Sequence, residues 1–406
     1  MDERLTILVA ARDEEARIGA TVGTLRDSFP EAEIVVADDG SRDNTAARAE
    51  AAGARVIRLA RRGKGQALSL GEREALPGTL LLCDADLHGD LRPLLASNGD
   101  LAVASFARRH GGGFGLVKGV ARRLVRALGG VDLQEPLSGQ RRLTPAARAA
   151  CFPVAAGFGV ETRMTIDAAR AGLSVEVVEL DLEHRSSGRD VRGFVHRGRQ
   201  LVDLVLAVGP QGTSFRGLRL PLVGWLVGAA APEVAPVAVI GLVDDLWSGT
   251  ERGLRAHVRS GTTTGTLKLV GIPLWGLVRT RSVSGAVLVG LSANLLNQLD
   301  TRPGRALKAF LLGSVALGGG PRRGFAMAVL LAPYDLREMT MLGDGGANAL
   351  GAMLGLKSVS RFTGRRRWCA ISALAALTAI GERRSLGRVI ESTPVLRELD
   401  ALGRYP

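Results

Sequence analysis

For its first two hundred residues this chain alternates, roughly every 20 to 30 residues, between a short apolar run and a helix-like stretch. The runs lie at 5–10, 33–37, 55–59 and 79–83, with a last one at 174–180. Short apolar runs bounded by turn-forming residues read as buried strands. Strands alternating with helices predict a mostly parallel α/β sheet with flanking helices. In such sheets ligands bind at the carboxyl ends of the strands. The polar clusters stand at those ends: Asp13-Glu14-Glu15, Asp38-Asp39-Gly40-Ser41-Arg42-Asp43-Asn44-Thr45, Arg61-Arg62-Gly63-Lys64-Gly65-Gln66-Ala67 and Asp84-Ala85-Asp86.

The last cluster is the most suggestive. Two carboxylates spaced i, i+2 on an extended segment point the same way. At the mouth of a sheet Asp84 and Asp86 can hold a divalent cation, Mg²⁺ or Mn²⁺, against a diphosphate. A lone Asp-x-Asp is expected by chance about once in a chain of this size, so the neighbouring motifs must decide.

Composition narrows the partners. At 406 residues the chain has room for two or three domains, and its formal charge of +13 suggests nucleic acid, anionic lipid or phosphorylated substrates. No zinc-finger spacing, aromatic-basic signature or basic tail is present, which argues against nucleic acid. Cys83, Cys151 and Cys369 form no CxxC pair, which fits a reducing compartment. The acidic Met1-Asp2-Glu3 and the short run after it do not read as a signal peptide.

In this order the four clusters resemble the family 2 glycosyltransferases with a GT-A fold, a Rossmann-like sheet, in particular the polyprenyl-phosphate sugar synthases. The resemblance covers about residues 1–205; one departure is Ala10-Ala11-Arg12-Asp13, where the family usually has Pro and Asn before its glutamates. It implies an inverting transferase in which Glu14, Asp38, Asp39, Lys64 and Asp84 bind the nucleotide sugar and Asp84 with Asp86 binds the metal. The chemistry agrees. Asp38 or Asp39 can accept from a base or ribose, although a plain turn-and-cap cluster would also use these residues. Lys64 between two glycines can approach a phosphate closely, and the alternative is an ordinary exposed turn.

The acceptor side should follow. Residues 105–128 carry Arg108, Arg109, Gly111-Gly112-Gly113, Lys118, Arg122, Arg123 and Arg126, either a phosphate-receiving loop and helix or a solvated basic face. Glu135-Pro136-Leu137-Ser138-Gly139-Gln140-Arg141 lies where the family has its acceptor-side Ser-Gly loop. A phosphate acceptor is already nucleophilic, leaving Ser138 and Arg141 to orient it. A hydroxyl acceptor would need a carboxylate base, Glu135 first and Glu161 second. Thr144-Pro145 reads as a helix cap. His184-Arg185-Ser186-Ser187-Gly188-Arg189 looks like the family's late basic loop over the diphosphate, or a basic patch for anionic lipid. His184 has no partner His at ligand spacing.

From about residue 213 the character changes to Gly-rich apolar runs, which predict an all-α, membrane-type helical domain. None reaches the roughly 20 uninterrupted apolar residues of a bilayer span. Between the runs stand Asp244-Asp245, Lys268, Asn297 with Asp300, and Gly343-Asp344-Gly345. In that order they resemble the polyprenyl-phosphate phosphoglycosyl transferases, the family of phospho-muramoyl-pentapeptide transferase, over about 213–406. The resemblance implies a second metal and nucleotide-sugar diphosphate at these residues. Departures are the missing Asp-Gly pair after Asp300, the missing late His cluster and the short apolar runs, so the domain reads as reduced. Asp244-Asp245 could instead cap a helix end.

The expectation is thus a domain at 1–210 joined to one at 211–406, located at the cytoplasmic membrane with the first domain in the cytosol. The first would move a sugar from a UDP- or GDP-sugar to polyprenyl phosphate or a lipid-linked glycan, using Mg²⁺ or Mn²⁺. The alternatives are sugar-1-phosphate transfer by the second domain, or a second domain that only anchors the chain or binds the carrier lipid.

Overall fold

Each of the four early apolar runs is a strand: β1 (Leu5–Ala11), β2 (Glu33–Asp38), β3 (Arg55–Arg58) and β4 (Thr79–Asp84). Helices α1 (Ile18–Ser28), α2 (Thr45–Ala51) and α3 (Lys64–Glu74) connect them. β1 pairs in parallel with β2 and β4, and β2 with β3, the arrangement that strand–helix alternation predicts. Register puts Ala11 opposite Asp38 and Ala10 opposite Asp84, so both aspartates stand level with the end of β1.

The computed structural model describes residues 4–87, 89–106, 116–181, 191–247, 264–319 and 322–404. The chain separates into two units, Met1–Gly209 with Gly217–Arg219 and Pro210–Arg216 with Leu220–Pro406. Arg108, Arg109, Gly111-Gly112-Gly113, His184, Arg185 and Arg189 lie outside the described residues.

In the first unit the sheet has seven strands in the order β3-β2-β1-β4-β6-β5-β7, completed by β5 (Leu101–Phe106), β6 (Arg141–Leu143) and β7 (Val175–Leu180). β6 runs antiparallel to both β4 and β5, while β5 and β7 are parallel. Sequence patterning finds β7 but not β5 or β6. Helices α4 (Arg92–Leu95), α5 (Leu116–Gly129), α6 (Pro145–Cys151), α7 (Val160–Arg170) and α8 (Val191–Val208) complete the unit. Alternate residues of one strand serve opposite cores: Ile7 and Val9 with Leu81 and Cys83 on one face, Leu8 with Leu80 and Leu82 on the other. Burial on both faces is why these strands read as unbroken apolar runs. Thr144 caps α6 as its sequence predicts, accepting from Ala147 N.

The second unit is helical: α9 (Trp225–Ala230), α10 (Ala235–Trp247), α11 (Thr264–Thr280), α12 (Val283–Leu299), α13 (Arg305–Ala316), α14 (Arg322–Asp335), α15 (Gly343–Arg361), α16 (Gly364–Arg384), α17 (Leu386–Ser392) and α18 (Pro394–Ala401). α15 is its axis, buried through most of its first thirteen residues. Small residues let backbones touch there. A Cβ at Gly351 would overlap Ala293, one at Gly355 would overlap Val289, and one at Gly241 would overlap the Asp344 carbonyl. The outer faces carry large apolar side chains instead, among them Val270, Leu274, Val278 and Leu312. Among the described residues, no helix is long and apolar enough to cross a membrane. The expectation of a helical second half is met; that of membrane-type helices is not shown by helix length and hydropathy.

Candidate functional site

β4 delivers Asp84 to the carboxyl edge of the sheet, where three other elements converge on it. Lys64 opens α3, and its Nζ lies 2.7 Å from Asp84 Oδ1 and 2.7 Å from Glu161 Oε1. Glu161 comes from the first turn of α7 and is buried. Gln140 Nε2 donates to the other Asp84 oxygen at 3.1 Å. Ser138 Oγ is 3.4 Å from Gln140 Oε1. Gly139 lies so close that a Cβ there would overlap the Asp84 carboxylate. Burial alone would pull the Lys64 ammonium down, but Asp84 and Glu161 outweigh it and hold its pKa above the ordinary range.

The loop before α3 is fixed from β2. Asp39 is buried and accepts from Arg62 N at 2.6 Å and Gly63 N at 2.9 Å. Burial raises its pKa, and those backbone donors oppose the rise. Gly63 needs its positive φ of 95° to turn the chain into α3. Gly65 packs so tightly that a Cβ would overlap the Ala155 carbonyl just before α7, which brings Glu161 within reach of Lys64. Asp38, also buried, accepts from the amide and hydroxyl of Ser41. Glu14 donates its amide to Thr45 Oγ1 at 2.8 Å and pairs with Arg17 at 2.9 Å. Arg42 N donates to Asp13 Oδ1 and Asn44 N to Glu15 Oε2, latching the loops after β1 and β2 together. The turn-and-cap reading accounts for these hydrogen bonds, with Asp38 and Asp39 buried and Asp13 exposed.

Asp86 departs from the sequence picture. β4 ends at Asp84, and Ala85 and Asp86 lie in a turn beyond it, so the two aspartates do not share one extended segment. Asp86 is exposed while Asp84 is partly covered. The pair can still converge on an ion arriving from solvent, since Mg²⁺ usually keeps one or two carboxylates and substrate phosphate oxygens. Among the described residues, no group of three or more His, Cys, Asp or Glu is arranged to hold a metal alone. The donor set thus fits a cation carried in with a diphosphate.

On the acceptor side, Arg141 overturns its expected part. Its guanidinium is fully buried and donates to Ser138 O, Pro136 O and Thr165 Oγ1. Burial lowers its pKa to about 10. It braces the Ser138 loop from behind and does not face an acceptor. Arg122 forks onto Asp132 at 2.6 and 2.8 Å, a surface pair and not a bare anion site. Arg123 is exposed on the same helix. Lys118 pairs with Glu135, so both candidate bases, Glu135 and Glu161, are engaged by lysines. Gln140 is the site residue that residue types alone do not single out; its only signal is its place in the loop before β6.

The second unit gathers its own carboxylates. Lys268 Nζ bridges Asp244 Oδ2, at 2.6 Å, and Asp344. Asp245 accepts from Asp344 N at 2.9 Å and Gly345 N at 3.0 Å, capping α15 across from α10. The capping alternative therefore holds for Asp245, on a neighbouring helix. Asp300 lines a pocket with Asp335, Thr340 and Arg302. Asn297 stands one turn before Asp300 in α12, its carbonyl accepting from Asp300 N at 3.1 Å.

Residues 6–90 match Glycosyl transferase family 2. A glucosyl-3-phosphoglycerate synthase of Mycolicibacterium paratuberculosis is 32% identical over 235 residues, 49% of this chain and 68% of that protein. Glycosyltransferase AglJ of Haloferax volcanii is 28% identical over 203 residues, 46% of this chain and 66% of that protein. A crystal structure of glucosyl-3-phosphoglycerate synthase from Mycobacterium tuberculosis with Mn²⁺, UDP and glucosyl-3-phosphoglycerate is 25% identical, with a TM-score of 0.43, over 54% of this chain and 87% of that one. The same enzyme has also been solved with Mg²⁺ and UDP, at 25% identity and a TM-score of 0.43, over 51% of this chain and 79% of that one.

Proposed function

Because the chain belongs to the family 2 glycosyltransferases, we propose that its first unit moves a sugar from a nucleotide sugar, UDP- or GDP-linked, to a phosphate-bearing acceptor with inversion. One observation carries the proposal: Lys64, Gln140 and Glu161 meet around Asp84 at the carboxyl edge of a mostly parallel sheet. Glu14, Asp38 and Asp39 border the nucleotide, and Lys64 meets the diphosphate. Asp84 and Asp86 hold Mg²⁺ or Mn²⁺, which when bound neutralises charge on the departing nucleoside diphosphate. Gln140 and Gly139 keep the Asp84 carboxylate in place. Ser138, in the loop braced by Arg141, borders the acceptor.

The engagement of Glu135 by Lys118 and of Glu161 by Lys64 favours an acceptor that arrives already ionised. A phosphate oxygen needs orientation and not deprotonation, and Arg123, with Arg185 and Arg189 of the late basic stretch, supplies cationic donors for it. Two acceptors share this chemistry: polyprenyl phosphate in a bilayer and a small phosphorylated acid such as the phosphoglycerate named for the relatives. The large apolar side chains on the outer helix faces of the second unit favour the lipid and a place at the cytoplasmic membrane.

Purified full-length protein, given labelled UDP- and GDP-sugars with Mn²⁺, should release nucleoside diphosphate and pass label into the organic phase with polyprenyl phosphate vesicles. Label retained in water with 3-phosphoglycerate would replace the lipid acceptor by the soluble one. Unchanged turnover in Asp86→Ala would refute the site. A second reading, sugar-1-phosphate transfer by the second unit, is favoured by the meeting of Asp244, Lys268 and Asp344. It requires release of nucleoside monophosphate that Asp344→Ala abolishes. If neither occurs, the second unit serves as anchor or carrier-lipid binder.

A further inference from the structure

The ammonium of Lys64 occupies one oxygen of the carboxylate that the proposed function gives to the metal. Among the described residues, Lys64 bridges Asp84 and Glu161, with Asp86 exposed in the turn two residues beyond Asp84. The lysine reaches both acids because its loop is fixed at three points. Asp39 holds the amides of Arg62 and Gly63, Gly63 turns at positive φ, and Gly65 lies against Ala155. Gln140 holds the far oxygen of Asp84, so that carboxylate stays put whichever cation faces it.

We infer that Lys64 is a built-in stand-in for the metal's charge, and that Glu161 is the positioning residue that keeps hold of Lys64 when metal and diphosphate displace it from Asp84. This rests on the glycosyltransferase reading of the site and adds an order of events within it. Without nucleotide, the ammonium competes with a divalent ion for Asp84. When a nucleotide diphosphate arrives with its metal, the ammonium turns from Asp84 to a phosphate oxygen. Lysine suits this exchange, being a compact charge on a flexible four-carbon stem. Glu161, buried and fixed in the first turn of α7, limits its travel to the space between the two partners. The device keeps the site from trapping free metal and couples metal binding to nucleotide binding.

The two residues then have opposite effects on binding of Mn²⁺ alone, measured by titration calorimetry or by loss of the free-ion paramagnetic resonance signal. Lys64→Met removes the competitor, and affinity for Mn²⁺ without nucleotide should rise about tenfold, the change expected when one adjacent like charge is removed. Its affinity for UDP with Mn²⁺ should fall. Glu161→Gln leaves the lysine to Asp84 only, and affinity for Mn²⁺ alone should fall several-fold. In that variant KM for the nucleotide sugar rises with kcat nearly kept, and Glu161→Asp restores part of KM. Lys64→Gln, which keeps a polar side chain, should reproduce the gain in metal affinity if Lys64→Met folds poorly.

Unchanged or weakened Mn²⁺ binding in both lysine variants overturns the inference, as does loss of kcat at unchanged KM in Glu161→Gln, the mark of a general base. The underlying function fails separately, if wild-type protein releases no nucleoside diphosphate from any nucleotide sugar. Metal binding without nucleotide is read independently of turnover.

Discussion

Arg141 shows what a residue's type does and does not tell. Its charge and its place after Ser138-Gly139 mark it as an acceptor contact, yet its guanidinium lies wholly inside the fold, spent on two carbonyls and a threonine hydroxyl. Sequence carries charge but not depth. Lys64 and Asp84 are legible because charged residues at the ends of apolar runs have nowhere to be but the sheet edge. Gln140 is not, because a neutral amide in a loop has no pattern to betray it. The buried bracing at Arg141 sets a first prediction. Arg141→Leu leaves the Pro136 and Ser138 carbonyls buried without their donor, at about 1–3 kcal/mol for each orphaned group. The variant should lose about 3 kcal/mol of stability, seen as a lower urea midpoint at unchanged slope. A midpoint equal to wild type would return Arg141 to the surface and to the acceptor.

Among the elements, β1 to β4 and β7 are readable, while β5 and the antiparallel β6 are not. β1, β2 and β4 are buried on both faces, so their apolar residues run on without alternation, and β3, Arg-Val-Ile-Arg at the sheet edge, is only half-buried. β6 is three residues long, Arg-Arg-Leu, and pattern alone gives such a segment to a loop. It lies in the middle of the sheet because both arginines find carbonyl acceptors, Arg142 on Leu94, Gly99 and Ser97. By inserting antiparallel between β4 and β5, it sets Ser138, Gly139 and Gln140 beside Asp84. The join between α3 and the segment before α7 is equally hidden, since it rests on one glycine. Gly65→Val would push α3 off the Ala155 carbonyl and draw Lys64 away from Glu161. Overpacking of this kind costs about 1–3 kcal/mol. We expect about 2 kcal/mol less stability and a KM for nucleotide sugar raised about tenfold, the 1.4 kcal/mol of a lost charged contact. Steady-state kinetics at a temperature where the variant stays folded would check it, and an unchanged KM would mean that Lys64 holds its place without α7.

Across the whole chain, the two units place their residues by different rules. The first buries large apolar side chains on both faces of its sheet and, at the site, buries Arg141, Asp39 and Glu161 with partners. In the second, glycine and alanine of the axis helix α15 pack closely beside buried Leu350 and Met353, while Val270, Leu274, Val278 and Trp368 are exposed. Exposed apolar side chains on neighbouring helix faces mark interaction surfaces. The apolar runs disclose the helices but not which faces are exposed, because hydropathy counts side chains without regard to the direction they face. α11 gives the sharpest case. Val270, Leu274 and Val278 recur at i, i+4 and i+8 and stand 58, 57 and 73% exposed. They form one stripe along a helix of 17 residues, about 25 Å long and shorter than a bilayer core. Because the three side chains are more than half exposed, Val270→Glu, Leu274→Glu and Val278→Glu should each alter stability by no more than about 0.5 kcal/mol. The triple variant should nevertheless lose co-flotation with polyprenyl-phosphate-containing anionic vesicles, while wild-type protein floats. Its turnover on a lipid acceptor should fall and its hydrolysis of nucleotide sugar should persist, since the Asp84 site is untouched. Flotation equal to wild type would remove the lipid from this face and, with it, the chief support for a lipid over a soluble phosphorylated acceptor.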